Sequence, residues 1–519
     1  ELIGQFGVGF YSAFMVADRV AVISRRAGQP DSGVRWESDG HGTYTVESCE
    51  KPTRGTDVIL HLKEGEREFL DAWTLRSLVR KFSDFIEHPV VMNVEKEGET
   101  VGADGKKNRV VEEETLNSRQ AIWLRSKSEI SEDEYREFYR HLTRHWDEPA
   151  SVIHYSAEGT IEFRALLFIP SERPFDFNFD WERKSGLHLY VRRVFIMDDC
   201  EKLLPTWLRF VKGVVDSADL PLNVSREMIQ ENRLLEKIRK NLTGKVLSTL
   251  EEMKRDEREK YEKIFEAFGQ VLKEGLATDF ESRDKLADLL LVQSTATEPG
   301  KTTTLREVRE RMPEGQDAIY YLIGESRSLL DNSPTLEAFR ERGWEVLLLT
   351  DPVDEWVTQS LREYDGKPLK PADRGELSAE KPDELKQQQE AFREFLGFVK
   401  ETLGDAVKEV RLSPRLRESA ACLVGEDSGI GSHMERLLRK MGREGELPAA
   451  QRILEVNPDH ATIAGLKELF ERDRNDARLA QYVRLLHEEA IIAEGSSLQD
   501  PKAFLQRINE LMARDLGRS

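Results

Sequence analysis

Glu1-Leu2-Ile3-Gly4-Gln5-Phe6-Gly7-Val8-Gly9-Phe10-Tyr11-Ser12-Ala13-Phe14 sets three glycines in G-x-x-G-x-G order ahead of an apolar, helix-compatible run from Phe10 to Ala17. Glycine admits positive φ and close backbone approach, and a helix start presents unpaired N–H groups. Together they form an anion cradle suited to nucleotide phosphates. A glycine-rich turn capping an amphipathic helix is the equally open alternative. The order is the reverse of the dinucleotide fingerprint G-x-G-x-x-G, which is therefore set aside.

Outward from this stretch the chain runs to 519 residues, a length that suggests roughly three or four domains. Charged residues make up 34% and the formal net charge is −20, with acid and base interspersed. That balance argues against nucleic acid or an anionic membrane as partner, because no phosphate-neutralising surface exists at domain scale. Only Cys49, Cys200 and Cys422 occur, widely spaced, which disfavours a disulfide framework or zinc site and fits a reducing cytoplasm. No apolar run approaches the roughly 20 residues of a membrane span. The chain starts at Glu1, already inside a motif, and an upstream segment is expected.

Residues 1–98 read as α/β, with strands at Arg19–Arg26, Val34–Glu37, Thr43–Glu47 and Thr56–Leu62 and a helix over Glu66–Glu87. Residues 99–114, within the aperiodic stretch Glu95–Glu114, are expected to be a charged linker. A second domain, 115–375, opens with the S-x-x-E capping box Ser131–Glu134. Strands are expected at Ile161–Ile169 and Leu187–Ile196, joined by the aromatic loop Pro174–Trp181. A long amphipathic helix carries Leu235, Ile238, Leu242, Val246 and Leu250. Strand Ile319–Ile323, helix Leu336–Arg342 and strand Trp344–Leu349 read as a parallel βαβ unit. Gly366–Pro382 reads as a second linker, and 376–519 as a mainly helical domain.

Two decoys fail. Gly300-Lys301-Thr302 lacks the first glycine of a P-loop, where Thr295 stands. His141 and His145 are spaced like zinc ligands on a helix, but Leu142 occupies the position of the required Glu.

Phe210-Val211-Lys212-Gly213-Val214-Val215-Asp216-Ser217 and Leu220-Pro221-Leu222-Asn223-Val224-Ser225-Arg226-Glu227, taken with the opening glycines, closely resemble the ninety-kilodalton heat-shock protein chaperones. Phe163–Pro170, Leu189–Asp199 and Ile453–His460 extend the resemblance in family order across essentially the whole chain. It implies an α/β and α+β multidomain protein. The expected parts are the remainder of a gyrase/histidine-kinase-type ATPase sandwich, an α/β middle domain, and a mainly helical C-terminal dimerisation domain.

The resemblance also implies roles. Gly4, Gln5, Phe6, Gly7, Val8, Gly9 and Phe10 would end a lid whose amides contact the phosphates of ATP, and Thr56 would help to read the adenine. Arg226 would reach the γ-phosphate, where a planar, permanently charged guanidinium can bridge phosphate oxygens, with Gln230 one turn later as a second contact. The catalytic glutamate, the Mg2+ ligand and the adenine-binding aspartate are expected upstream, so this stretch of chain by itself is expected not to hydrolyse ATP. Expected partners are a second copy through Lys502–Leu516, unfolded or partly folded clients, and other chaperones. Client contacts fall to Glu355 and Trp356 and to the stripe Met434, Leu437, Leu438 and Met441, whose spacing equally describes a buried helix face. The rivals are a DNA-linked ATPase of the gyrase or mismatch-repair type and a non-enzymatic dimeric binding module.

Overall fold

The computed structural model describes residues 8–101, 107–174, 186–220, 233–375, 377, 382–426, 431–440, 442 and 452–517. Strands in the first part of the chain are β1 (Ala17–Arg25), β2 (Val34–Ser38), β3 (Tyr44–Ser48), β4 (Gly55–Leu62), β5 (Val91–Val101) and β6 (Lys107–Thr115). The middle holds β7 (Pro149–Ala157), β8 (Phe163–Pro170), β9 (Leu187–Val191), β10 (Val194–Met197), β11 (Lys212–Ser217), β12 (Gln293–Ser294), β13 (Ile319–Ile323), β14 (Val346–Leu349), β15 (Glu363–Tyr364) and β16 (Lys367–Pro371). The last three are β17 (Val407–Leu412), β18 (Ala421–Val424) and β19 (Arg452–Val456). Their sheets have the orders β3-β2-β1-β4, β5-β6, β10-β9-β11-β8-β7, β12-β14-β13-β16-β15 and β17-β19-β18. The chain divides into one unit of Glu1–Ile130, Leu189–Met197 and Asp216–Val224, and another of Ser131–His188, Asp198–Val215 and Ser225–Ser519.

In the first unit the four expected strands form an antiparallel sheet in which β1 is flanked by β2 and β4, with Val22 opposite both Trp36 and Val58. Ala17, Val20 and Ala21 are its buried centre. The helix expected over Glu66–Glu87 is broken into a 3-10 segment, Glu64–Leu70, and an α-helix, Ala72–Phe82. The cause is Asp71, whose carboxylate accepts the Thr74 N–H at 2.8 Å and starts a new helix as its N-cap. The expected linker is largely a β-ribbon, β5 against β6, with Val94 opposite Glu112. Its Glu-, Lys- and Gly-rich segments are poor strand formers, and cross-strand pairing overrides that local preference. Asn117 pins the open end, accepting from Val90 N–H and donating to the His88 carbonyl.

Leu187–Ile196, expected as one strand, is instead the β9–β10 hairpin. Its two-residue turn puts Arg192 at φ 50° and Arg193 at φ 66°. Consecutive positive φ is what a hairpin of right-twisted strands demands, and Asn-Gly is the sequence that supplies it without strain. Arginine there costs on the order of 1–3 kcal/mol per residue. Replacing Arg192-Arg193 with Asn-Gly is therefore expected to raise stability by about 1 kcal/mol after the lost side-chain contacts are subtracted. A urea midpoint that moves down instead would show that those contacts outweigh the strain.

In the second unit Ser131 and Glu134 form the expected capping box at the start of helix Glu132–Thr143. Strand β7, which the sequence reading missed, pairs with the buried strand β8, Ile153 opposite Leu167. Gly213 on β11 lies so close to β8 that a Cβ would stand 2.3 Å from the Leu166 carbonyl oxygen, so only glycine fits. Helix Arg233–Asp256 buries the predicted stripe and packs on helix Arg258–Thr278. The βαβ unit is present, with β13 parallel to β14. Part of the second expected linker is β16, parallel to β13 with Leu369 opposite Ile319.

Residues on both sides of the expected 375/376 boundary lie in this one unit. Gly425 N–H donates to the Asp373 carbonyl at 2.9 Å and Ala338 N–H to that of Arg415 at 3.0 Å. Burial alone would raise the Glu337 carboxyl, but the Ser419 hydroxyl and the N–H groups of Arg417, Glu418 and Ser419 outweigh it and hold it low. Helix Pro382–Leu403 packs on β17, and the core there is Val399, Val407, Leu454, Val456, Ile463, Leu479 and Leu486.

Candidate functional site

The expected nucleotide-side residues fall unevenly. Gly4, Gln5, Phe6, Gly7, Arg226 and Gln230 lie outside the described residues, as do the loop phenylalanines Phe175, Phe177 and Phe179 with Trp181. Val8–Tyr11 forms a single helical turn, and the Ser12 hydroxyl donates to the Gly9 carbonyl at 2.6 Å. Phe10 lies edge-on to Trp36, ring centroids 5.5 Å apart, which anchors the turn to the sheet. Lys63 Nζ donates to the carbonyls of Phe14 and Met15 at 3.0 and 2.9 Å, a cation at the end of the next helical turn. Among the described residues nothing stands within 4 Å of where a Gly9 Cβ would be. Thr56 is exposed on β4, its hydroxyl 2.8 Å from that of its cross-strand neighbour Ser24. A glycine-containing turn and the exposed Thr56 hydroxyl are groups of a kind that suits a nucleotide. No cluster of three or more metal-ligating side chains occurs among the described residues.

Asp216, on β11, is a residue that sequence reasoning missed. Its buried carboxylate accepts the Trp123 indole N–H at 3.0 Å and the Arg193 N–H at 3.1 Å. Burial raises its pKa, while the Trp123 and backbone hydrogen bonds oppose that shift. Arg192 Nε donates to the Ala218 carbonyl at 3.3 Å, and Arg193 pairs with Glu87 at 3.0 Å. The strained turn is thus tied to the chain at Ala218, eight residues before Arg226. Phe85, Trp123, Tyr190 and Phe195 pack around it edge-on or tilted.

The two expected client segments, 78 residues apart, are brought together: the His433 ring Nδ1 lies 3.1 Å from Glu355 Oε1, both side chains buried. Glu355 and Met434 are buried, at 3% and 9% exposure, so neither presents itself to a client in this conformation. Leu437 and Leu438 are half-buried, Met441 lies outside the described residues, and Trp356 is 43% exposed. One residue before Glu355, Asp354 is buried against Lys273 of helix Arg258–Thr278 at 2.7 Å, and Lys273 reaches Asp351 at the same distance. Burial would lower the Lys273 pKa, but the two carboxylates outweigh it and keep the amine charged. Helix Asp354–Ser360 is therefore clamped at its first two residues, and Trp356 follows them directly.

At the chain's end, helix Pro501–Asp515 and the residue after it leave Leu505, Met512 and Leu516 exposed, near-heptad spacing on one face, while Phe504, Ile508 and Leu511 are half-buried. Among the described residues no helix is long and apolar enough to cross a membrane.

A protein-family model described as Hsp90 protein matches residues 101–519. The chain is 54% identical to the chaperone protein HtpG of Geobacter sulfurreducens, over 99% of this chain and 81% of that protein. It is 53% identical to that of Geobacter metallireducens, over the same shares, and 47% identical to that of Myxococcus xanthus, over 99% of this chain and 78% of the relative. With likeness of this depth running through both units, the chain belongs to the Hsp90 family and is a chaperone of that type.

Proposed function

We propose that the protein is an ATP-driven homodimeric chaperone of the cytoplasm that binds and remodels non-native proteins. The observation that carries this reading is the agreement of the glycine stretch and the Arg226 segment with an ATPase chaperone family matched over nearly the whole chain. ATP, with Mg2+, supplies a phosphoanhydride whose hydrolysis makes the conformational cycle directional. Gly4 to Phe10 close over the phosphates through backbone N–H groups, and Thr56 takes part in holding the base. Arg226 stabilises the charge that develops at phosphoryl transfer, and Gln230 supports it. Dimerisation uses the apolar face of helix Pro501–Asp515 with Leu516, whose exposed Leu505, Met512 and Leu516 suit burial against a second copy. Clients bind at Trp356 and the Met434, Leu437, Leu438 and Met441 stripe, where flexible methionine adapts to varied apolar segments.

The test is steady-state ATP turnover by the full-length protein, which carries the catalytic glutamate expected upstream of this stretch. Arg226→Ala is expected to lower kcat by about 10²–10³, with 10³–10⁵ the ceiling known for arginine fingers. ATP affinity should stay within about threefold, since the contact belongs to the transition state. Arg226→Lys should recover little, because an ammonium lacks the planar fork. Unchanged kcat in Arg226→Ala would remove the residue from the reaction.

A further inference from the structure

We infer that the client face is held shut by a latch, the buried contact between His433 and Glu355, and that breaking it lets the Ser432–Lys440 helix turn its apolar side to a non-native polypeptide. The inference rests on the reading above that Met434 and its stripe bind clients. It answers a conflict that reading creates, since Met434 is buried and a buried methionine binds nothing.

The Ser432–Lys440 helix is held to the rest of its unit by polar contacts of unequal kind. Glu435 meets Arg452 at 2.8 Å, Arg436 reaches the Ser496 hydroxyl at 3.1 Å and Lys440 pairs with Glu325 at 2.8 Å. The Lys440 pair is largely exposed, and such pairs contribute little. His433 inserts a polar ring among buried groups, where its contact with the Glu355 carboxylate is desolvated on both sides. Glu355 in turn sits on helix Asp354–Ser360, which Lys273 fixes through Asp354. The anchor on that side is therefore braced, and the moving part is the nine-residue helix of which His433 is the second residue. Its position is decisive because Met434 is the next residue: whatever withdraws His433 from Glu355 withdraws Met434 from its cover. The latch biases a two-state element, and the apparent client affinity is scaled by the fraction open.

The experiment measures binding of a fluorescently labelled, reduced and carboxymethylated globular protein to the whole chain, alongside amide exchange of residues 432–440. His433→Ala is expected to bind about 5- to 10-fold more tightly and to exchange faster. His433→Asn, which keeps a donor near the Nδ1 position, should stay close to the parent in both. Met434→Gln added to His433→Ala should cancel the gain. If His433→Ala does not fold, Lys440→Ala at the exposed outer anchor should produce a smaller shift in the same direction. Unchanged or weaker binding in both latch variants, while Met434→Gln alone lowers affinity, overturns the latch and leaves the client face standing. Met434→Gln without effect in either background overturns the client face itself.

Discussion

Glu455→Ala is expected to cost the protein about 3–5 kcal/mol, seen as a lowered denaturation midpoint of the unit that contains it. Glu455 is at 0% exposure on the middle strand of the β17-β19-β18 sheet. Its carboxylate receives Arg411 and Arg415, each at 2.7 Å, and the Ser413 hydroxyl at 2.8 Å. Arg415, itself buried, also donates to the Arg374 carbonyl at 3.1 Å and to that of Gly375. One carboxylate thus pairs with two guanidinium groups and, through Arg415, joins the C-terminal sheet to the chain that follows β16. Removing it strands both charges in a site with little water, and that desolvation, more than the lost attraction, sets the magnitude. Glu455→Gln should cost less, since an amide oxygen still accepts. Exchanging the pair for apolar residues, Glu455→Leu with Arg415→Met, should cost less than Glu455→Ala alone. If that double variant proves the worse of the two, the network contributes net stability and is more than a desolvation burden satisfied.

Lys273→Met is expected to have an effect of similar size, about 3–5 kcal/mol, by the opposite charge logic. Lys273 is buried on helix Arg258–Thr278 and is the counter-charge of Asp351 and Asp354. Without it two carboxylates remain in close company, Asp354 fully buried. Burial already raises the Asp354 pKa with Lys273 in place, and loss of the cation must raise it further. A carboxyl whose folded-state pKa lies above its unfolded value takes up a proton on folding. Its stabilising contribution is therefore present below the unfolded value and is lost as pH rises through the folded one. The deficit of Lys273→Met should accordingly shrink as the solution is acidified, and Asp354→Asn should recover part of it at neutral pH. A deficit independent of pH, with no recovery in the double variant, would mean that lost packing of the lysine stem accounts for the effect. Because Trp356 rides on the same short helix, its fluorescence reports whether the clamp has opened.

Much of this fold was legible in local pattern. Alternation and turn residues placed β1 to β4 within two residues of where they lie, because those strands are bounded by Gly, Pro and Asp. The Ser131 cap, the stripe of helix Arg233–Asp256 and the parallel β13–β14 pair followed from chemistry confined to a few residues. The misses share a cause. Arg192-Arg193 hides a hairpin because the turn's usual Asn-Gly is absent, and Asp216 holds the strained backbone from a strand in another part of the sequence. The β5–β6 ribbon and β16 read as linkers because their residues have low strand preference, and only a partner strand makes them strands.

By itself the sequence determined the family, the order of the elements and the chemical types available at each expected site, for these depend on residues near one another in the chain. Only the tertiary structure decided which ionisable groups are buried and with whom. Glu355 meets His433, Asp216 meets Trp123, Lys273 meets Asp354 and Glu455 meets Arg415 across 40 to 93 residues. A charged side chain in sequence is by default a solvated one, and what turns it into a latch or a clamp is desolvation by elements that arrive from elsewhere. The opening glycines show the same division. Their spacing leaves a phosphate cradle and a helix-capping turn equally open, whereas the packing of Phe10 on Trp36 and the Lys63 contacts decide how the turn is held to its sheet.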